Sequence, residues 1–336
     1  MTLTTFGDAA RFATFGQEAT RLKTDLQRLG TELGSGRKAD LGTATDGDFS
    51  ALAGIRRDLR LNAAFARGLE EAGLLAEGRQ NALERLGAEV DGVGPALLAA
   101  AGIGQSSELD IHLADAKAGF SQGIATLNTR VAGQFLFSGD TPDTPPLADA
   151  ETILAQLRPI VSGAPDAAAA IADVDAWFQD PGGGFETVAW QGGAQDAAPV
   201  YLGEGRKIDA GATALDPTVR TTLAGLAMAA LASEGSLPPA ADAKRDMASA
   251  AAERMMTGER DLVQLRARIG AAEGRIEAAR VQTEATRTAL ELEETRITAA
   301  DPYATATDIE SVNRQLETLY LVTARISQLS LTDYLR

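Results

Sequence analysis

The sequence predicts a mainly α-helical protein in which long antiparallel helices from both chain ends form a rod or coiled-coil bundle, with a small α/β insert domain in the middle. Apolar residues recur at alternating steps of three and four near both ends, which places them on one stripe of a helix. Hydrophobic residues make up 45% of the chain but aromatic residues only 5%. Much of the apolar content is alanine, which suits close contact between helices.

A first helix is predicted over 6–33. Asp8 can cap this helix or lie in its first turn, where an acidic side chain is favourable. Four glycines that follow the helix predict a non-helical connection over 34–48. The apolar stripe of the helix consists of Phe12, Phe15, Ala19, Leu22, Leu26, Leu29 and Leu33.

Two more helices are predicted before the middle of the chain, over 49–90 and 106–133, with glycines and Pro95 between them. The segment 133–147 differs in character, because its prolines forbid a helix. Its apolar residues at 135–137 predict a short strand that ends in a turn. We therefore place a domain boundary near residue 141.

The glycine-rich and proline-rich middle of the chain predicts the α/β insert. Two short helices are expected within 150–178, separated by Pro159 and by a glycine–proline stretch. Asp216 and Pro217 have the residue types of an N-cap and a first helical position, so a helix is expected from there to about residue 232. Three strands are expected at 185–190, 199–203 and 206–210.

The longest helix is predicted over 240–298, with a stripe of its own that runs from Leu262 to Ile297. Asp301 and Pro302 interrupt it and can form a cap or hinge for a last helix that ends near residue 331. The predicted domains are a terminal domain of 1–34 plus 301–336, a long-helix domain of 35–140 plus 240–300, and an insert of 141–239.

Composition excludes several classes of function. The chain carries 47 acidic and 31 basic residues, for a formal charge of −16, so nucleic acid is not an expected partner. The chain has no cysteine, which excludes disulfides and thiolate chemistry. No apolar run is long enough for membrane insertion. The first residues lack the basic and apolar regions of a cleaved signal peptide, and we expect none.

No catalytic residue, metal site or cofactor is predicted, and the chain is not expected to be an enzyme. His112 is the sole histidine, and lone histidines on helices are more often structural than catalytic. The Asp46-Gly47-Asp48 sequence lacks the further ligands of a calcium loop. The glycines at 182–184 are not followed by the residues of a phosphate-binding loop. A ligand pocket with converging polar groups within 181–212 would favour an enzyme instead.

Three segments resemble the flagellin family. The sequence LGTELGSGRKADLGTATDGD at 29–48 is similar to the segment after the first helix of that family, although the usual Asp-Asp pair reads Asp46-Gly47-Asp48 here. The sequence RITAADPYATATDIESVNRQLETLYLVTARISQLSLTDYLR at 296–336 resembles the family's C-terminal signature. The sequence LNTRVAGQFLFSGDTPDTPPL at 127–147 resembles the boundary segment of those family members that join the flagellar hook to the filament, which favours a junction protein over flagellin itself.

The resemblance implies a tubular assembly in which the terminal helices form the inner layer, the longer helices form a second layer, and the insert faces outward. It implies export through the flagellar type III apparatus without a cleaved signal, and an extracellular location on the bacterial flagellum. The implied partners are other copies of the chain in a ring or tube, the other hook–filament junction protein, flagellin and a flagellar export chaperone. The alternatives are flagellin, or a non-flagellar coiled-coil scaffold.

The terminal stripes are the predicted assembly interface. An isolated pair of helices is marginally stable in water, so we expect residues 1–33 and 303–336 to order on assembly rather than in the monomer. The predicted interface residues are Phe12, Phe15, Leu22, Leu26, Leu29, Leu33, Ile309, Val312, Leu316, Leu319, Ile326, Leu329 and Leu331.

Overall fold

The computed structural model describes residues 4–103, 106–195, 197–203, 205–209 and 211–334. Within these ranges the chain is mainly helical, and its strands form two-stranded antiparallel sheets, which confirms the predicted fold class. The helices are α1 (Thr4–Ser35), α2 (Leu41–Ala44), α3 (Ser50–Ala88), α4 (Val93–Ile103), α5 (Ser106–Leu127), α6 (Ala150–Gly163), α7 (Ala167–Gln179), α8 (Pro217–Glu234), α9 (Ala243–Thr298) and α10 (Pro302–Tyr334). The strands are β1 (Arg130–Val131), β2 (Gln134–Phe135), β3 (Val200–Gly203) and β4 (Arg206–Ile208), and a π-helical turn spans Phe185–Ala189.

The long helices predicted from heptad spacing are confirmed as α1, α3, α9 and α10, with ends within a few residues of those expected. The longest is α9, with 56 residues. Asp216 caps α8 as predicted, because its side chain accepts a hydrogen bond from the amide of Thr218 at 2.9 Å. Among the described residues, no helix is at once long and apolar enough to cross a membrane.

Three predictions about the first half of the chain are wrong in detail. The helix expected to reach residue 133 ends at Leu127, and β1 and β2 follow it as a tight hairpin whose turn contains Gly133 at a φ of +84°. The segment with glycines and Pro95 that follows α3 forms a helix of its own, α4. Pro95 is compatible with this helix because it lies in the first turn, where its missing amide hydrogen is not needed. The connection over 34–48 also contains the short helix α2.

Two predictions about the insert are also wrong. Helix α6 runs through Pro159 and ends at Gly163, so the break lies only at the later glycine–proline stretch. The segment 185–190 is a π-helical turn closed by a 2.7 Å bond from the Trp190 amide to the Phe185 carbonyl, and not a strand. Phe185 and Ala189 are both buried there, and a spacing of four is a helical spacing. The strands expected at 199–203 and 206–210 are confirmed as β3 and β4.

The chain divides into two compact units. Unit 1 comprises Met1–Ala63 and Ala285–Arg336, and unit 2 comprises Ala64–Glu284. Helices α3 and α9 therefore contribute residues to both units. The predicted division into three domains stays a prediction.

The core of unit 2 is built around α8. This helix is apolar on every side, and almost every residue from Val219 to Ala232 is buried, as expected for a helix enclosed by its neighbours. Helices α5 and α7 pack against it, and Phe120 of α5 is fully buried. The rings of Trp177 and Phe178 of α7 and of Phe185 form an aromatic cluster with centroids 4.9–6.2 Å apart, in which Trp177 packs edge-on against the other two.

The boundary segment 133–147 is tied to the loop after the π-helical turn by backbone hydrogen bonds. The amide of Gly193 donates to the carbonyl of Ser138 at 2.8 Å, and the amide of Asp140 donates to the carbonyl of Gln195 at 3.0 Å. Farther along, the Gln191 amide donates to the carbonyl of Pro146 at 2.9 Å. The proline-rich segment is thus an integral part of unit 2 rather than a loose linker.

A polar cluster ties three helices of unit 2 together at the end of α8. The carboxylate of Glu234, which is 15% exposed, accepts hydrogen bonds from Arg158 of α6 at 2.8 and 3.1 Å. Lys117 of α5 forms an ion pair with the same carboxylate at 2.9 Å. Hydrogen bonding from Arg158, and then from Lys117, lowers the pKa of Glu234 despite the opposing effect of burial.

We expect Glu234→Gln to reduce the free energy of unfolding by about 1–3 kcal/mol at pH 7, the usual range for hydrogen bonds to charged groups. The folded-state pKa of Glu234 is lowered, so the stabilisation is complete above the unfolded-state pKa of about 4.3 and is lost as the pH falls through the folded-state value. Urea unfolding followed by far-ultraviolet circular dichroism should show the difference at pH 7, and the difference should shrink progressively as the pH falls below about 4. Glu77→Gln, which neutralises an exposed glutamate of α3, is the control and should be neutral across this pH range.

Candidate assembly surface

Helices α1 and α10 of unit 1 pack along each other in antiparallel orientation. The end of α1 lies beside the start of α10, because Arg37 and Ala299 form an antiparallel bridge between the two connections. Farther from this bridge, Phe15 and Val322 line the same groove. The two stripes predicted from the sequence are therefore carried by paired helices.

The stripe side chains are only partly covered by this pairing. Leu29 and Leu316 are buried, at 5% and 8% exposed, whereas Leu33 is 44% exposed. The side chains of Phe12, Leu329 and Leu331 lie outside the described residues. The half-buried stripe residues are Phe15, Leu22, Leu26, Ile309, Val312, Leu319 and Ile326.

A groove runs along the helix pair, and the stripes supply its floor. The apolar side chains that line it are Phe15, Leu22, Val312, Leu319 and Val322. Polar side chains from both helices form its rim, which consists of Glu18, Arg21, Asp25, Ser311, Arg314, Gln315 and Thr318. An apolar floor with a polar rim is the arrangement that receives the apolar face of another helix.

The rim charges of α1 are neutralised mainly within that helix. Arg21 lies 3.7 Å from Glu18, and Arg28 lies 3.7 Å from Asp25 and 2.9 Å from Glu32. These exposed pairs contribute little stability. They leave the groove without a strong field of one sign, so apolar contact dominates what the groove can bind.

Apolar side chains beside the α10 stripe are exposed as well, and the sequence analysis missed them. Tyr320 is 50% exposed, Leu321 is 69% exposed and Val322 is 40% exposed. The ammonium group of Lys23 lies 5.9 Å from the centre of the Tyr320 ring and so links the two helices. The three consecutive apolar residues after Leu319 were the available signal, because a stripe of two positions per heptad has no place for all of them.

Asp301 and Pro302 lie where a helix cap is required. The carboxylate of Asp301 accepts hydrogen bonds from the amides of Tyr303 at 2.9 Å and Ala304 at 3.2 Å. Pro302 is the first residue of α10, where its missing amide is not needed. Whether the site also acts as a hinge stays a prediction.

A second cluster, which we call the joint, connects the segments 36–40 and 298–302. The amide of Lys38 donates to the carbonyl of Thr298 at 2.8 Å, and the amide of Ala300 donates to the carbonyl of Gly36 at 3.0 Å. Glycines and prolines predict both segments as separate breaks between helices. Their pairing had no signal in the sequence, since backbone groups make it.

Two carboxylates of unit 1 support the joint. Glu32, whose side chain is 7% exposed, accepts hydrogen bonds from Arg28 at 2.9 Å and from the amide of Ala39 at 3.0 Å. Glu294 lies 2.9 Å from Arg56 and 3.7 Å from Arg37, and it is 16% exposed. The joint therefore combines a backbone bridge with two carboxylates that are largely withdrawn from water.

In the described part of the chain, the residues that the sequence offers as possible chemical sites do not lie among other reactive side chains. His112 lies half-buried in α5. The described part of the chain contains no group of three or more metal-ligating side chains. In the glycine turn, the amide of Gly182 donates to the Glu186 carboxylate at 2.9 Å and the amide of Gly183 donates to the Asp180 carbonyl at 2.9 Å, so neither amide is left to bind a phosphate.

One cavity does lie in the region that could have favoured an enzyme. Among its described lining residues, the polar side chains are Gln195, Asp209 and Thr213, and the apolar ones come mostly from alanine, proline and leucine. Asp209 is the one titratable group in that lining, and it is exposed. A single exposed carboxylate does not provide the acid–base pair or nucleophile–base pair that catalysis requires.

Comparison with known proteins identifies the C-terminal part of the chain. Residues 255–335, which cover most of α9 and α10, match the family described as the bacterial flagellin C-terminal helical region. No curated protein matches the chain. Among 21 matching chains of solved structures, one belongs to a protein of Vibrio parahaemolyticus designated as flagellar hook-associated; it is 14% identical, with a TM-score of 0.49, over 73% of this chain and 95% of that chain.

The family match confirms the resemblance drawn from the C-terminal signature, and it extends that resemblance toward the start of α9. It also covers the described part of the α10 stripe, from Ile309 to Ile326. The C-terminal helical region of the chain, residues 255–335, is therefore similar to that of the bacterial flagellins.

Proposed function

We propose that this chain is a structural subunit of the bacterial flagellum, and that it is the junction protein that links the hook to the filament. The observation that carries the assembly role is the half-open apolar groove on the paired helices α1 and α10. Two helices can cover one side of each stripe, and Leu22 and Leu319 keep part of their surface for a further helix. We propose that neighbouring copies supply that helix in a ring or tube.

The boundary segment distinguishes the junction role from that of flagellin. Residues 127–147 resemble the junction form of the family, and backbone bonds from Ser138 and Asp140 fix this segment within unit 2. A segment held this firmly is suited to present one defined surface on a subunit that must contact two different neighbours. The proposed neighbours are the other hook–filament junction protein and flagellin.

Deleting the gene tests this role. We expect electron microscopy to show hooks without filaments, and we expect flagellin to appear in the culture medium. Complementation with the intact gene should restore filaments of normal length. Normal filaments on the deletion strain would contradict the proposal.

The same strains discriminate between a junction protein and flagellin. A junction protein should be a trace band in sheared filaments of the parent strain, whereas flagellin would be the major band. If the chain were flagellin, the medium of the deletion strain would contain no released filament protein.

We further propose that export uses information in the uncleaved first helix and requires a dedicated chaperone. Deleting residues 2–20 should abolish secretion while unit 2 remains folded inside the cell. Protease resistance of the intracellular fragment measures the second point. Normal secretion of the truncated chain would contradict the proposal.

A further inference from the structure

The two stripes do not by themselves determine how α1 and α10 align. Along α10 the stripe repeats every seven residues, with Ile309 followed by Leu316 and Val312 followed by Leu319. Sliding α10 by one heptad therefore replaces one apolar side chain with another at most positions. Coiled coils need a polar or geometric feature to select one register among such alternatives.

The ion pairs of Arg21 and Arg28 beside the groove do not select a register. The ion pairs of Arg21 and Arg28 stay within α1, so they are unchanged when α10 slides. The contact of Lys23 with the Tyr320 ring does cross between the helices, but both groups are at least partly exposed. Such an exposed contact contributes about 0.5–1 kcal/mol.

The joint is specific to one alignment. Its two backbone bonds pair Lys38 with Thr298 and Ala300 with Gly36, at 2.8 and 3.0 Å. These residues lie directly after α1 and directly before α10. Because a shift along the bridge breaks both bonds, the joint fixes the axial position of α10 relative to α1.

The acidic side chains raise the free energy needed to move α10 away from this alignment with α1. Glu294 of α9 lies 3.7 Å from Arg37 in the joint, and Glu32 of α1 accepts a hydrogen bond from the amide of Ala39 in the joint at 3.0 Å. Both carboxylates are mostly buried, so separating them from their partners leaves charge without compensation. Without the joint, the five residues 36–40 could extend to about 17 Å, which exceeds the shift of about 10 Å for seven helical residues.

We propose that the joint is a register device, which sets the alignment of α1 and α10 in the single chain so that the two stripes form one continuous surface. The device acts before any partner is bound, so this inference requires α1 and α10 to be ordered in the single chain and replaces the expectation that residues 1–33 and 303–336 order only on assembly. It is independent of the identity of the neighbours in the assembly. The proposed role in the flagellar junction can fail while this inference holds.

The absence of cysteine makes the register directly measurable. The double variant Lys23→Cys with Tyr320→Cys, carrying spin labels, reports the distance between the helices by pulsed electron paramagnetic resonance. In the otherwise unchanged chain we expect one narrow distance distribution. Adding Lys38→Pro and Glu294→Ala, which remove a joint amide and its main carboxylate, should produce a second discrete distance.

Crosslinking provides a readout that does not depend on the labels. In the chain with an intact joint, a short thiol-to-thiol crosslinker should join cysteines at 23 and 320 in high yield, and it should join cysteines at 23 and 313 or at 23 and 327 much less. With the joint disrupted, at least one of the pairs displaced by seven residues should reach a comparable yield. Such a result would show the slipped register itself.

Matched controls separate the joint from its surroundings. Lys38→Ala keeps the backbone amide that Lys38→Pro removes, and Glu293→Ala removes an exposed neighbour of Glu294. Both should keep the single distance and the original crosslink. The inference is overturned if the disrupted joint keeps one register, or if it gives only broad distances with no displaced crosslink.

Discussion

Replacing Leu22 with aspartate is expected to abolish polymerisation of the purified chain while unit 2 stays folded. Leu22 is half-buried on α1 and lines the groove, so a neighbouring helix would complete its burial. The substitution removes an apolar side chain worth about 1.5–3 kcal/mol when fully buried. It also places a charge where the contact would exclude water, at a further cost of several kcal/mol.

The effect on assembly is large because every subunit contact carries the same change. A loss of about 3 kcal/mol lowers each association constant more than 100-fold. Sedimentation and negative-stain microscopy of the purified chain, at a concentration at which the parent polymerises, measure the result. Leu319→Asp makes the same test from α10, because the Leu319 side chain lines the same groove.

Exposed positions on the same helices provide the controls. Gln17→Asp adds one negative charge to the outer face of α1, and Asn313→Asp adds one to α10 with almost no change in shape. Both controls should polymerise like the parent. If Leu22→Asp polymerises equally well, the groove is not the assembly surface.

Replacing Gly184 with alanine is expected to lower the free energy of unfolding of unit 2 by about 3 kcal/mol or more, since a buried aromatic ring must leave its place. A Cβ at Gly184 would lie 1.8 Å from the indole nitrogen of Trp177 and 2.3 Å from two further ring atoms. Trp177 is 8% exposed and packs edge-on against Phe178 and Phe185. Backbone strain is not the cause, because Gly184 has an ordinary helical φ of −62°.

A double-mutant cycle tests this steric cause. In a chain that already carries Trp177→Leu, the added methyl group has room, so Gly184→Ala should cost much less than in the parent. Urea unfolding followed by far-ultraviolet circular dichroism gives the four free energies and their coupling. Additive effects would show that the ring contact is not responsible.

Gly163→Ala serves as the matched control. Gly163 ends α6 in the same unit, and a Cβ there would meet no atom within 4 Å. We expect a change of less than about 0.5 kcal/mol, as for a surface substitution away from special features. A large loss at this position would mean that the insert tolerates no added methyl group at all.

The sequence predicted the long helices because their stripes repeat over many turns. Leu262 and Ile276 of α9 are buried at the spacing expected, and Asp216 caps α8 as its residue type indicated. Short elements were less predictable. Phe185 and Ala189 suggested a strand by composition, and their tight packing in a π-helical turn depends on tertiary contacts that no local pattern contains.

The same contrast holds for the candidate site. Leu22 and Leu319 were predicted from periodicity, and the structure places both in the groove. The joint could not be predicted, because its bonds join backbone atoms more than 250 residues apart. Periodicity shows which face of a helix is apolar, but it does not show the axial position at which that face packs against a partner helix.

The positions of the two tryptophans have a practical consequence. Trp177 and Trp190 both lie in the insert, within unit 2, and the Trp190 indole donates to the Gly193 carbonyl at 3.2 Å. Tryptophan fluorescence, excited selectively over tyrosine, therefore arises from that unit alone, because α1 and α10 contain no tryptophan. Stopped-flow tryptophan fluorescence, recorded alongside far-ultraviolet circular dichroism of the whole backbone, would measure the unfolding rate of unit 2 without any added dye.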